Sequence, residues 1–313
     1  MLLFIIAGIF IVFTIRLPSG SFASVSNILK IFQVGSVYSI VILGVTWVIS
    51  MNEIDTSFGD VAAFSSVFSA VLIMQVGLPP NLAIVIAILT GSLFGIINGI
   101  LVTKAKLNSL IVTIAISGIA KAIAYILGKG SSVSVKQDRT QFFYQLCQGA
   151  TGIIPNILIF GVILVVVMIL IQEKTKFGQY IYAIGDNQEA ANVAGINITK
   201  IKLIVFFISS FFAAFGGTMM MLRGAAMPTI GSNLFLESFT KIFIGATLYK
   251  LGKTNILGTF VGAVLMAMLV NGLAKVGAPS YMQQIITGIL LIFGVAITSV
   301  LQRRRQRALT LEE

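Results

Sequence analysis

Few residues in this 313-residue chain have types and spacings that could do chemistry. Gly252-Lys253-Thr254 has the ending of a phosphate-binding loop, in which backbone N–H groups wrap phosphate oxygens. The first glycine of such a loop should stand at position 247, which is Thr247. Gly245 lies two residues too early, and an apolar stretch rather than a strand pattern precedes it. ATP, if it is used, is therefore expected on a separate subunit. Glu237 and Lys241 stand four apart, the favourable order for an ion pair on one helical face. They read as a salt bridge inside a helix bundle or as part of a solute pathway. They are also the nearest approach to the carboxylate and lysine that an intramembrane enzyme would need. Asn52, Asp55, Ser57, Asn98, Asn108, Thr113, Ser117 and Asn271 could line a route for a small polar solute, although each singly also reads as an interhelical hydrogen bond. The chain has no histidine, which excludes His-centred triads, histidine proton relays and most zinc sites. The single Cys147 excludes an intrachain disulfide and a paired-thiol redox site, and no metal site is expected.

The elements that position these residues are membrane helices. The chain is 57% hydrophobic and 10% charged with a mean hydropathy of +1.02, too few charges to cover a soluble domain of this size. A span needs about 20 apolar residues, so ten would use roughly 200 positions and leave no room for a soluble catalytic domain. Apolar runs place helices near 2–16, 34–51, 58–76, 81–103, 108–128, 152–172, 201–222, 236–249, 255–274 and 281–301. The expected fold is all-α: one polytopic transmembrane bundle, 1–313, of about ten helices. Thirty glycines against six prolines fit closely packed helices better than a β-barrel. The run 2–16 is short for a span and could instead be a signal peptide, since Ser21-Phe22-Ala23 mimics a cleavage site, but no positive region precedes it. The run 236–249 is short and charged, as a re-entrant or tilted helix would be. Lys121, near a helix end, is expected to snorkel. Gly91, Gly95 and Gly99, and likewise Gly258 and Gly262, recur every four residues and form small faces that let another helix approach closely, in this chain or in a second subunit.

With the N-terminus inside, cytoplasmic segments hold Lys104, Lys106, Lys174, Lys176, Lys200, Lys202, Lys250, Lys253, Arg303, Arg304, Arg305 and Arg307. The opposite side holds Arg16, Lys30, Lys129, Lys136, Arg139, Arg223 and Lys275. This bias predicts that both termini are cytoplasmic, with the basic tail 302–313 as anchor, and explains the net charge of +11 without nucleic acid. The outer segment near 129–151 could carry a short surface helix or meet a partner. The inner segment 173–200 is more patterned: Asp186 or Asn187 can cap a short helix, Gln188 to Ala194 are mostly helix formers, and Gly195 can supply a left-handed stop. Such a helix is too polar to bury in lipid and well suited to present to another protein.

Glu189-Ala190-Ala191, three residues, then Gly195 resembles the E-A-A-x-x-x-G loop with which permease subunits of ABC importers dock onto their ATPase. The surrounding Phe177-Gly178-Gln179-Tyr180 to Gly185-Asp186-Asn187, Gly195-Ile196-Asn197 and Lys200-Ile201-Lys202 resemble the ribose-type, monosaccharide branch. So do Ile54-Asp55 with Ser57 and Gly59, Asn98-Gly99, Gly258-Thr259 and Asn271-Gly272, and the likeness runs from about Ser26 to Ser299. The resemblance implies a transport subunit, not an enzyme, of a bacterial cytoplasmic (inner) membrane. Asp186, Asn187, Glu189, Ala190, Ala191 and Gly195 would form its ATPase-coupling element, with Ala190, Ala191 and Ala194 in a partner groove. ATP and Mg would sit on the ATPase, and an extracytoplasmic binding protein and a second permease copy would complete the assembly. The solute would be a monosaccharide such as ribose; nucleosides, branched-chain amino acids or a sugar-derived signal are the alternatives in the superfamily, and a secondary transporter lies outside it. The chain departs from the family pattern where G-G-T-S-x-x-G-G-x-G becomes Gly245 to Thr254, where I-D-L-S-V-G becomes Ile54-Asp55-Thr56-Ser57-Phe58-Gly59, and where Lys241 replaces a small apolar residue. Those changes would suit a heterodimeric membrane core.

Overall fold

A computed structural model describes residues 2–17, 20–135, 138–248 and 252–310, with side chains for 6–17, 20–135, 138–248 and 252–301. Lys136, Tyr249, Lys250 and Leu251 therefore lie outside the described residues, as do the side chains of Arg303, Arg304, Arg305 and Arg307.

Among the described residues helix covers the greater part of each of the ten apolar runs, but the helices number thirteen rather than about ten. In chain order the described helices are α1 (Leu2–Arg16), α2 (Val25–Ser50), α3 (Phe58–Met74), α4 (Pro80–Thr103), α5 (Ser109–Leu127), α6 (Phe142–Gln148), α7 (Asn156–Lys174), α8 (Lys176–Asp186), α9 (Gln188–Val193), α10 (Ile198–Arg223), α11 (Ile230–Gly245), α12 (Ile256–Lys275) and α13 (Ser280–Thr310). Seven of these, α2, α4, α5, α7, α10, α12 and α13, are long and apolar enough to cross a membrane, and two shorter apolar helices fall at Ile6–Arg16 and Phe58–Met74. Seven such helices in one chain are those of a multi-pass membrane protein. Several boundaries differ from expectation, most of all at α2, α11 and α13. α2 begins nine residues before position 34, because Ser26, Asn27, Lys30 and Gln33 interrupt the apolar run without interrupting backbone hydrogen bonding. α11 starts at Ile230 and stops at Gly245, and its 16 residues span only about 24 Å, less than a bilayer core. The basic tail continues α13 as helix to Thr310.

The chain divides into two compact units, 1–39 with 236–313, and 40–235. In the first, Leu17, Phe22, Ile31, Ala267 and Met268 form a core against which Phe10 and Phe13 of α1 pack. The Gly258 and Gly262 face of α12 lies directly on the α11 backbone, where a Cβ would strike the carbonyls of Gly245 and Lys241. In the second unit, α10 packs along α4 and α3, and α3 also meets α5. Gly91, Gly95 and Gly99 of α4 are the contact face: Cβ atoms there would strike Ala214, the Phe206 carbonyl and Leu203 of α10. Both glycine faces are thus filled within this chain, which answers the question of whether a second subunit covers them.

The second unit has two polar ends. At one, the 51–57 segment meets the start of α5, with the Ile54 N–H donating to Ser109 Oγ at 3.2 Å, and Asn52 Nδ2 donates to the Gly185 carbonyl at 2.5 Å. At the other, β1 (Val133–Ser134) pairs antiparallel with β4 (Ala225–Ala226), and Gln148 of α6 donates to the Leu222 carbonyl at 2.8 Å. A short hairpin of β2 (Ala150–Thr151) and β3 (Ile154–Pro155) follows α6. The 129–151 segment thus carries the expected short helix, anchored on α10. Cys147 of α6 is fully buried, its thiol donating to the Met219 carbonyl at 3.2 Å, and burial pushes that thiol up to about 12. Since only the thiolate reacts readily, a water-soluble maleimide at pH 7.5 is expected to leave the native protein unlabelled and to modify it stoichiometrically in denaturant; mass spectrometry of both samples checks this.

Candidate functional site

The patterned segment 173–200 folds as two short helices rather than one. α8 buries Gly178, Ile181 and Ile184, and Phe177 meets the buried Trp47 ring edge-on at 5.5 Å. The missed helix had a signal in the three- to four-residue spacing of those residues. α9 forms as its sequence dictates. Asn187 is extended, with φ of −157°, and its Oδ1 accepts the Ala190 N–H at 3.0 Å. The stop is a full Schellman motif: Gly195 has φ of +80°, its N–H donates to the Asn192 carbonyl at 3.0 Å, and the Ile196 N–H donates to the Ala191 carbonyl at 3.1 Å. Glu189, Ala190 and Ala194 are exposed, while Ala191 is turned inward and holds α9 on its own chain. The apolar group that projects outward is Val193, 89% exposed, which sequence reasoning passed over. Asp186 and Asn187 are exposed at the α8–α9 junction.

Beneath α9 lies an ion pair that was not foreseen. Lys202 of α10 is buried, pairs with Glu53 and also donates to Gln188 Oε1 at 2.9 Å. Two residues beyond Glu53 the buried Asp55 gathers a polar cluster. Its Oδ1 accepts the Ser57 N–H at 2.8 Å and Ser57 Oγ at 2.7 Å, and its Oδ2 accepts Ser209 Oγ at 2.7 Å. Asn98 of α4 completes the cluster by donating to Ser57 Oγ at 2.8 Å. Thr113 accepts from the Thr56 N–H at 3.1 Å and donates to the Ile54 carbonyl at 3.2 Å.

Of the residues proposed for a polar route, the structure brings Asp55, Ser57 and Asn98 into one cluster and places Asn52 at its margin with Thr113. Asn108 caps α5 by accepting from Leu110 and Ile111 N–H groups. Ser117 donates to Asp60, a buried carboxylate not singled out from sequence although it closes the Ile54–Asp60 segment. Lys121 donates to Ser232 Oγ at 3.1 Å, so its ammonium is held by a protein hydroxyl rather than only snorkelling. The other unit holds Glu237, Lys241 and Asn271. Lys241 is buried, 3.0 Å from Glu237 Oε2 and 3.7 Å from the Tyr38 ring centroid, a cation–π distance. This lysine is thus partnered inside its own chain and by itself calls for no non-identical subunit. Asn271 is partly buried beside Lys30 and Lys275. The Gly252-Lys253-Thr254 run follows helix α11 rather than a strand, against the context a phosphate loop requires.

Comparison with known proteins decides the class. The family described as branched-chain amino acid transport system / permease component matches residues 27–295. The chain belongs to this permease family. A ribose import permease of Haemophilus influenzae is 31% identical to this permease over 96% of the chain and 93% of its own length. A ribose import permease of Bacillus subtilis is 30% identical over 93% and 90%, and a fructose import permease of Rhizobium meliloti 30% over 89% and 79%. An inward-facing metal-chelate type ABC transporter shares the fold, with a TM-score of 0.52, 14% identity, and 96% and 98% of the two chains covered. The permease is therefore a transport component.

Proposed function

We propose that this permease is the membrane-spanning subunit of an ATP-driven importer that moves a monosaccharide such as ribose across a bacterial cytoplasmic membrane. Both termini face the cytoplasm. An extracytoplasmic binding protein delivers the sugar, a second permease chain completes the membrane core, and a separate ATPase holds ATP and Mg and docks on α9. The observation that carries the reading is α9 itself, a helix capped at both ends that leaves Glu189, Ala190, Val193 and Ala194 exposed between α8 and α10. Covering the exposed Val193 with a partner would gain the free energy of burying its side chain; Glu189 beside it supplies a carboxylate for a basic rim. The importer names of the similar permeases support the sugar.

The test is the double variant Glu189→Lys with Val193→Asp. Both side chains are exposed, so thermal stability in detergent should stay within about 0.5 kcal/mol of the parent. Co-purification of the ATPase and uptake of radiolabelled ribose should each fall at least tenfold. Survival of both would refute the docking assignment. Gly195 is a poorer probe, because its φ of +80° strains any side chain placed there and mixes folding with docking.

A further inference from the structure

The 51–57 segment touches the coupling loop on one side and the membrane helices on the other. Toward the loop, Asn52 adopts the left-handed conformation, with φ of 57°, and bonds the Gly185 carbonyl, while Glu53 pairs with Lys202. Toward the helices, Asp55 bonds Ser209 of α10, and the same segment runs directly into α3 at Phe58. Lys202 stands between the two, since its ammonium holds Glu53 and Gln188, the first residue of α9, at once. A charge with only 7% of its side chain exposed cannot exchange these partners for water cheaply. Movement of α9 must therefore either draw the Lys202 ammonium, and with it Glu53, along or give up the Lys202–Gln188 hydrogen bond.

We propose that Lys202 is a positioning residue, the joint through which a displacement of α9 is passed to the 51–57 segment and so to α3. The inference rests on the coupling reading of α9 and adds to it the path into the membrane. Spatial continuity alone does not demonstrate coupling, so the test separates docking from transmission. The permease is purified with its ATPase in nanodiscs, with a single reporter cysteine replacing Ile73, half-buried near the far end of α3, and with Cys147 left in place. The readout is the maleimide labelling rate with and without ATP and vanadate, together with the amount of ATPase bound.

The parent is expected to change its labelling rate at least fivefold between the two states. Lys202→Met and Glu53→Gln should keep the ATPase at parental stoichiometry yet bring the ratio of rates close to one. The charge-reversed pair Lys202→Glu with Glu53→Lys should recover at least half of the parental response, which a purely structural loss would not do. An unchanged ratio in both single variants, or no nucleotide response in the parent, would overturn the proposal. So would loss of the ATPase from both single variants, which would make Lys202 part of the seat rather than a joint. Failure of the α9 reading looks different: the ATPase then survives the Glu189 and Val193 changes.

Discussion

Replacing Gly95 with leucine is expected to destabilise the permease by about 3 kcal/mol or more and to sharply lower the yield of folded protein. A Cβ at this position would meet the Phe206 carbonyl, and Ser210 Oγ would lie 2.8 Å away. The first of these is backbone, so no rotamer change relieves the clash, and α4 and α10 must separate. Separation forfeits dispersion contacts along the whole Gly91-Gly95-Gly99 face, and in lipid little hydrophobic driving force brings the helices back. Gly118 of α5 is the control: it is exposed, with open space where its Cβ would stand. Gly118→Leu should leave the unfolding midpoint unchanged or raise it by about 1 °C, corresponding to about 0.7 kcal/mol in a chain of this length, since a helix-interior glycine is replaced without a clash. Thermal unfolding of both variants in one detergent checks the pair, and equal loss from both would refute the close-packed face.

Asp55→Ala should rank next, at about 3 kcal/mol. The carboxylate accepts from the Ser57 N–H, Ser57 Oγ and Ser209 Oγ in a site with no exposed surface. Truncation leaves three buried donors with no acceptor, and each such group costs on the order of 1–3 kcal/mol unless the site relaxes. It also frees the entry to α3 from α10, so the bundle loses a tie between segments 154 residues apart in sequence. Asp55→Asn keeps the shape but turns one acceptor into a donor, and its loss should be about half as large. Ser209→Ala removes one hydrogen bond, worth about 1 kcal/mol. Chemical denaturation of the three variants should reproduce that order, and an Asp55→Ala protein as stable as Ser209→Ala would show that the cluster does not hold the segment.

Signals confined to a few neighbouring residues could be read without coordinates. Asn187 and Gly195 bound α9 because a cap and a Schellman stop use hydrogen bonds that reach only two to five residues along the chain. Glu237 and Lys241 pair because one helical turn already puts them side by side. The four-residue spacing of the glycines marks a close-packed face by the same periodicity. The partner of that face was not legible, since the helices are mostly apolar on every side and their few small polar residues do not say which helix they meet. Nor was the pairing of Lys202 with Glu53, 149 residues away: Lys202 reads from sequence as one more orienting charge in a basic loop. The sequence by itself determined that the chain makes apolar helices joined by one capped, water-facing helix, because hydropathy and capping are local. Only the tertiary structure decided that Ala191 is turned in and Val193 out, that α10 fills the glycine face of α4, and that the 51–57 segment links α9 to Asp55. Those facts depend on which helices meet, which is settled by packing and by satisfying buried polar groups across long sequence separations.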